Sequence, residues 1–160
     1  MVFVLGFTGI FGKLITLEAI PLVWYRMLIA FITLAIFLAF KNQLFSIKRK
    51  DFLGIVGVGV LVTFHWLCFF QSIKVSNVSV AVVCLATSSL FAAILEPIFF
   101  KRKLLKYEVI MGLIVIGALV YILGADSKHV SGYVFGLTAA FLGTLFTIFN
   151  AQYIERINAT

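Results

Sequence analysis

The sequence predicts an all-α fold, a polytopic transmembrane helical bundle of about six spans, and three observations predict it. First, 63% of the 160 residues are hydrophobic and only 12% are charged, against about 25% charged in soluble domains; the mean hydropathy is +1.18. Second, the apolar residues come in runs long enough to cross a bilayer. From Val78 to Phe100 the only charged side chain is Glu96, and at 1.5 Å per residue that run covers about 30 Å, the thickness of the hydrocarbon layer. Third, basic residues gather in two short stretches, Lys41 to Lys50 and Lys101 to Lys106. Two spans separate these stretches, so both face one compartment, which the positive-inside rule makes the cytoplasm.

The net charge of +7 is therefore topological. No basic face is left over for a nucleic acid. Cys68 and Cys84 both lie within apolar runs, so no disulfide framework argues for a secreted fold. Met1 leads straight into apolar residues without a basic n-region, and Glu18-Ala19-Ile20-Pro21 stands where a cleavage site would fall, so no removable signal peptide is expected.

The first apolar run, Val2 to Leu17, contains Lys13 and is short for a span, which suggests a natural N-terminus further upstream. Gly6, Gly9 and Gly12 repeat along one side of it, a face that lets another helix approach closely. Glu18 to Ile20 form an outer turn, and Pro21 is expected at the first position of the second span, Pro21 to Phe40, where its missing N–H is harmless. Trp24 and Tyr25 sit at the outer end of this span, in the place of an interfacial aromatic belt. The third span is Phe52 to Ser72, followed by a turn over Ile73 to Asn77, and the fourth is Val78 to Phe100. The fifth is Tyr107 to Gly124. A polar outer loop, ADSKHVS, precedes the sixth, Gly132 to about Tyr153, which again carries small residues four apart at Gly132, Gly136 and Ala140.

A short echo links Gly6-Phe7-Thr8-Gly9-Ile10-Phe11 with Gly136-Leu137-Thr138-Ala139-Ala140-Phe141. The two copies lie on spans that cross in opposite senses, the arrangement of an inverted repeat. With GIFGKL in the first span, WYRMLIAF in the second, HWLCFFQSIKVSNVSVAVVCLATSSLFAAI across the third and fourth, the LEPIFFKRKL junction and GLIVIGALVYILGA in the fifth, the chain resembles the EamA-type members of the drug/metabolite transporter superfamily. The resemblance implies two inverted repeats of five helices, cytoplasmic termini and alternating access around a central cavity. Residues 1–124 would then be the first repeat, and 125–160 the outer loop and first helix of a second, truncated one. The sequence departs from the pattern at Ser89, where the family commonly has proline. It departs again at Lys101-Arg102-Lys103, where the family has a Gly-Glu-Arg-like junction; Glu96-Pro97 offers an acidic residue one to two turns earlier.

Seven residues are candidates for the substrate pathway. His65 lies about 20 Å from the inner end of its span, where an ionisable group is a functional hypothesis by default. It binds substrate, carries a proton, or rests as a neutral imidazole bonded to a neighbouring helix. Trp66 is cavity wall or packing. Arg26 and Lys13 each lie about 8 Å below the outer end of a span; they either snorkel to water or point inward with His65 and favour carboxylate or phosphate substrates. Glu96 either pairs with the Lys101 to Lys103 run or serves as an inner gate or proton acceptor. Thr87 and Ser88, with Ser89, fall near the midplane, where hydroxyls bond helix carbonyls or substrate. Asn150 and Gln152 are expected to join helices.

His65, Cys68 and Cys84 are zinc-type ligands without an evident fourth, so no metal site and no cofactor are expected. No hydrolase, zincin or phosphate-loop motif supports an enzyme. The expectation is a multi-pass cell-membrane protein acting as a secondary transporter (permease or exporter) of small metabolites or amphipathic compounds, in contact with lipid and a small-molecule substrate. It would work as a dimer or with a C-terminal half. The alternative is a non-transporting membrane subunit or scaffold acting through helix assembly.

Overall fold

The computed structural model describes residues 2–40, 49–125 and 129–158. Among these every regular element is a helix: α1 (Val2–Leu14), α2 (Ala19–Phe40), α3 (Arg49–Val75), α4 (Val78–Ala86), α5 (Ser88–Phe100), α6 (Lys106–Ala125) and α7 (Val130–Asn158). The fold is a helical membrane bundle. Most of the first basic stretch, residues 41–48, falls outside the described ones, as does the centre of the ADSKHVS loop at 126–128, while Arg49 and Lys50 open α3.

Several boundaries differ from expectation for local reasons. The first helix stops at Leu14 rather than Leu17. The second starts at Ala19, where the Leu22 N–H donates to Glu18 O at 3.1 Å, so Pro21 is the third helical residue; the first turn has no intrahelical use for its N–H there either. The third helix continues past Ser72 to Val75, and the expected five-residue turn shrinks to Ser76 and Asn77. Asn77, in extended conformation, accepts from the Val80 N–H at 2.9 Å and caps α4, the usual role of asparagine at a helix start. The sixth span is longer than expected, Val130 to Asn158.

The fourth span is not one continuous helix. It breaks at Thr87, whose hydroxyl and N–H both donate to Cys84 O, at 2.6 and 3.1 Å, while the Ser89 hydroxyl donates to Ala86 O at 2.9 Å. Hydroxyls that claim carbonyls within one turn compete with the regular ladder and bend it.

The core is built where small residues let backbones meet. α7 lies along α3 in the longest interface and also packs on α4 and α5. Ala139 and Ala140 are fully buried there, and a Cβ on Gly136 would stand 2.6 Å from Cys84 Cβ. The Ser72 hydroxyl donates to Gly132 O at 2.7 Å, and Gln152 Nε2 donates to Phe99 O, the joining role expected of it. α1 uses its glycine face as expected: a Cβ on Gly9 would meet Val78 of α4, and one on Gly12 would meet Phe70 of α3. The two echoing segments thus both pack against the α3–α4 pair.

Outside this core the apolar surface is large. Phe31 and Ile29 of α2, Leu53 of α3 and Tyr121 of α6 are all well exposed. Four segments, Ala19–Phe40, Phe52–Val75, Val78–Phe100 and Val130–Ile154, are long and apolar enough to cross a membrane. Lipid is the solvent that suits such faces.

Candidate functional site

His65 stands on the α3 face turned toward α7, close to the small residue Gly143, whose missing Cβ would lie 2.7 Å from His65 Nδ1. Nδ1 is 2.7 Å from Ala139 O. A carbonyl only accepts, so Nδ1 carries a proton and donates, and in the neutral imidazole Nε2 keeps a lone pair. The bond to a neighbouring helix is one of the roles the sequence left open.

Four of the seven candidates share one cavity of about 450 Å³: His65 and Trp66 from α3, and Ser88 and Glu96 from α5. Ser89, Gly143, Thr144 and Thr147 complete its polar and close-packed wall. The hydroxyl protons of Ser89, Thr144 and Thr147 are already committed, Ser89 donating to Ala86 O at 2.9 Å. Thr144 donates to Ala140 O and Thr147 to Gly143 O, each at 2.9 Å. Their oxygens and, in the neutral imidazole, His65 Nε2 are left as acceptors beside the Ser88 hydroxyl, so the lining has places for a guest that brings hydrogen-bond donors. Thr144 and Thr147 were not singled out in the sequence. Two threonines less than one turn apart in the otherwise apolar centre of the sixth span were the signal available.

The other three candidates lie elsewhere. Thr87 is buried and spends its hydroxyl on the α4–α5 break. Lys13 is exposed and lines neither this cavity nor the one beside α1. Arg26 does not snorkel: its guanidinium carbon lies 3.6 Å from the Trp66 ring centroid and 5.9 Å from that of Phe70. Trp66 in turn meets His65 edge-on, with centroids 5.0 Å apart. The inward pair imagined for Lys13 and Arg26 is therefore Arg26 alone, at the edge of a second cavity between α1, α2 and α3.

At the basic end, Glu96 pairs with Arg102 at 2.9 Å, and Arg102 also reaches Glu108 in the first turn of α6 at 3.1 Å. Glu108 was not anticipated. A carboxylate in the first turn of a helix, six residues after an arginine, was its signature. The hydrogen bonds Arg102 donates to Glu108 and then to Glu96 raise its pKa, so its charge persists up to and beyond the ordinary arginine range. Among the described residues His65, Cys68 and Cys84 do not gather as metal ligands; the Cys84 thiol points to Tyr133 O.

A family profile described as the EamA-like transporter family matches residues 1–124. The chain belongs to that family. An "Uncharacterized transporter" of Haemophilus influenzae is 34% identical to this EamA-like protein over 90 residues, which are 55% of this chain and 29% of that relative's length. No solved structure matches it. The EamA-like protein is thus a multi-pass membrane protein of a transporter family.

Proposed function

We propose that this chain carries one repeat of a secondary transporter for small metabolites or amphipathic compounds, and that the cavity beneath His65 holds the solute. Residues 1–124 form the first repeat and 125–160 the start of a second; a further repeat or a second copy completes the path. The observation that carries this reading is the meeting of His65, Trp66, Ser88 and Glu96 around one space with Thr144 and Thr147 of α7. Three helices supply the walls, so relative movement of α7 against α3 and α5 reshapes the cavity, as alternating access requires. The Arg102 bridge between Glu96 and Glu108 closes the basic end of the cavity and must loosen for solute to leave that way.

Proteoliposome flux of a panel of donor-bearing amphipathic solutes tests the site. His65→Ala and the cavity-filling Ser88→Phe should each lower flux about tenfold or more, the loss of roughly one good polar contact or of the space itself. Undiminished flux in both variants removes the assignment.

A further inference from the structure

Arg26 is the feature that the His65 cavity leaves unexplained. Its guanidinium lies within the membrane-crossing α2, about 10 Å along the helix from Ala19, and stacks on the Trp66 face. Among the described residues both ion pairs belong to Arg102, and Arg26 has neither a carboxylate partner nor a hydrogen-bond acceptor. The ring face answers part of the charge, but it leaves the five N–H donors of the guanidinium without acceptors. A charged group at that depth normally finds an anion, a carbonyl or water.

Beside it opens a cavity of about 450 Å³, lined by Arg26, Tyr25 and Ile29 of α2, Thr8 and Phe11 of α1, and Phe70 of α3. The walls are overwhelmingly apolar, with the guanidinium as the only charge among the residues lining it. We propose that this cavity is a second binding site, separate from the one beneath His65, and that it takes small amphipathic carboxylates. The planar guanidinium accepts a carboxylate in a two-pronged pair, and the aromatic and aliphatic walls take the hydrocarbon part. One guanidinium neutralises one carboxylate, whereas a phosphate dianion would leave a charge uncompensated among apolar walls. The volume lies in the range of pockets for small molecules. Because Trp66 also lines the His65 cavity, an occupant that draws Arg26 off the ring alters the wall between the two spaces.

Trp66 and Trp24 are the two tryptophans of the chain, so Trp24→Phe leaves Trp66 as sole reporter of the stacking. The full chain in phosphatidylcholine nanodiscs is titrated with octanoate, octan-1-ol and octyltrimethylammonium while Trp66 emission is followed. Octanoate should give a saturable change, with the other two about tenfold weaker or more, as loss of a charge-assisted pair implies. Adding Arg26→Gln should abolish the response, and Arg26→Lys should retain a weakened one, which separates lost charge from lost fold. No octanoate response, an equal response to octan-1-ol, or a response surviving in Arg26→Gln overturns the proposal. So does the same emission change on exchanging phosphatidylcholine for phosphatidylglycerol without octanoate, which would make a lipid headgroup the occupant. The measurement is binding at equilibrium, so its failure leaves the flux reading of the His65 cavity untouched.

Discussion

Lys101 holds a backbone conformation that suits a different residue. Directly after α5 its φ and ψ are 52° and 31°, the left-handed region, where a Cβ crowds the carbonyl that follows. It stands where the resembling junction has glycine, the residue that closes helices in this conformation without strain. The strain ends α5 sharply and lets the chain turn so that Arg102 reaches Glu96 and Glu108. Lys101→Gly should therefore stabilise the protein by about 1 kcal/mol, while Lys101→Ala, which keeps the Cβ, should give little or no gain. The midpoint of SDS-induced unfolding in mixed micelles reads both. Equal midpoints for Lys101→Gly and wild type would show that the turn carries no such strain.

Among the elements, α7 does most to shape the interior, and it does so through residues that have little or no side chain. Gly132, Gly136, Ala139 and Ala140 bring its backbone against α3 and α4, and farther along Gly143 leaves room for the imidazole of His65. Edge-to-face aromatic pairs, Phe91 with Phe141 and Phe99 with Phe149, hold its other side to α5. Gly136→Leu would thrust a branched side chain into Cys84 and Ser72, since even a Cβ would lie 2.6 Å from Cys84 Cβ and 3.2 Å from Ser72 Oγ. Such overpacking should destabilise by on the order of 1–3 kcal/mol. Gly117→Leu on α6, where nothing lies within 4 Å of a Cβ, is the matched control and should be near neutral. A comparable loss in both would mean that helix propensity or membrane insertion, rather than the contact of α7 with α3 and α4, governs the outcome.

At the scale of the molecule, the two cationic stretches and the alternating spans set the orientation. Single cysteines at Ser46 and Lys103, in a background without Cys68 and Cys84, should react with an impermeant maleimide from one face of the membrane. A cysteine at Glu18 should react from the other, since one span lies between Glu18 and the first stretch. Labelling of positions 46 and 103 from opposite faces would undo the inverted relation of α1 and α7 and the carrier reading with it. The broad apolar exposure of α2 and α6 belongs to this scale also: those faces meet lipid or further helices, whereas the cavities lie along α3, the helix that both share.

Hydropathy and charge are summed along the chain, and they were enough by themselves to determine a membrane protein and the spacing of its cationic stretches, while the motifs from GIFGKL to GLIVIGALVYILGA carried the resemblance to the family. Of the six spans read from the sequence, four are described helical segments long and apolar enough to cross a membrane. Glycine spacing also marked the close-packed faces of α1 and α7, because a small residue permits approach whatever its partner. Only the tertiary structure decided that Arg26 stacks on Trp66 instead of reaching water, that His65 donates to Ala139 O, that Glu108 joins Glu96 on Arg102, and that Thr87 breaks the fourth span. The physical reason is that these helices are apolar on nearly every side. A run without a polar face says how deep a residue lies in the bilayer but not which way it points, and that rotation is set by packing against helices distant in sequence.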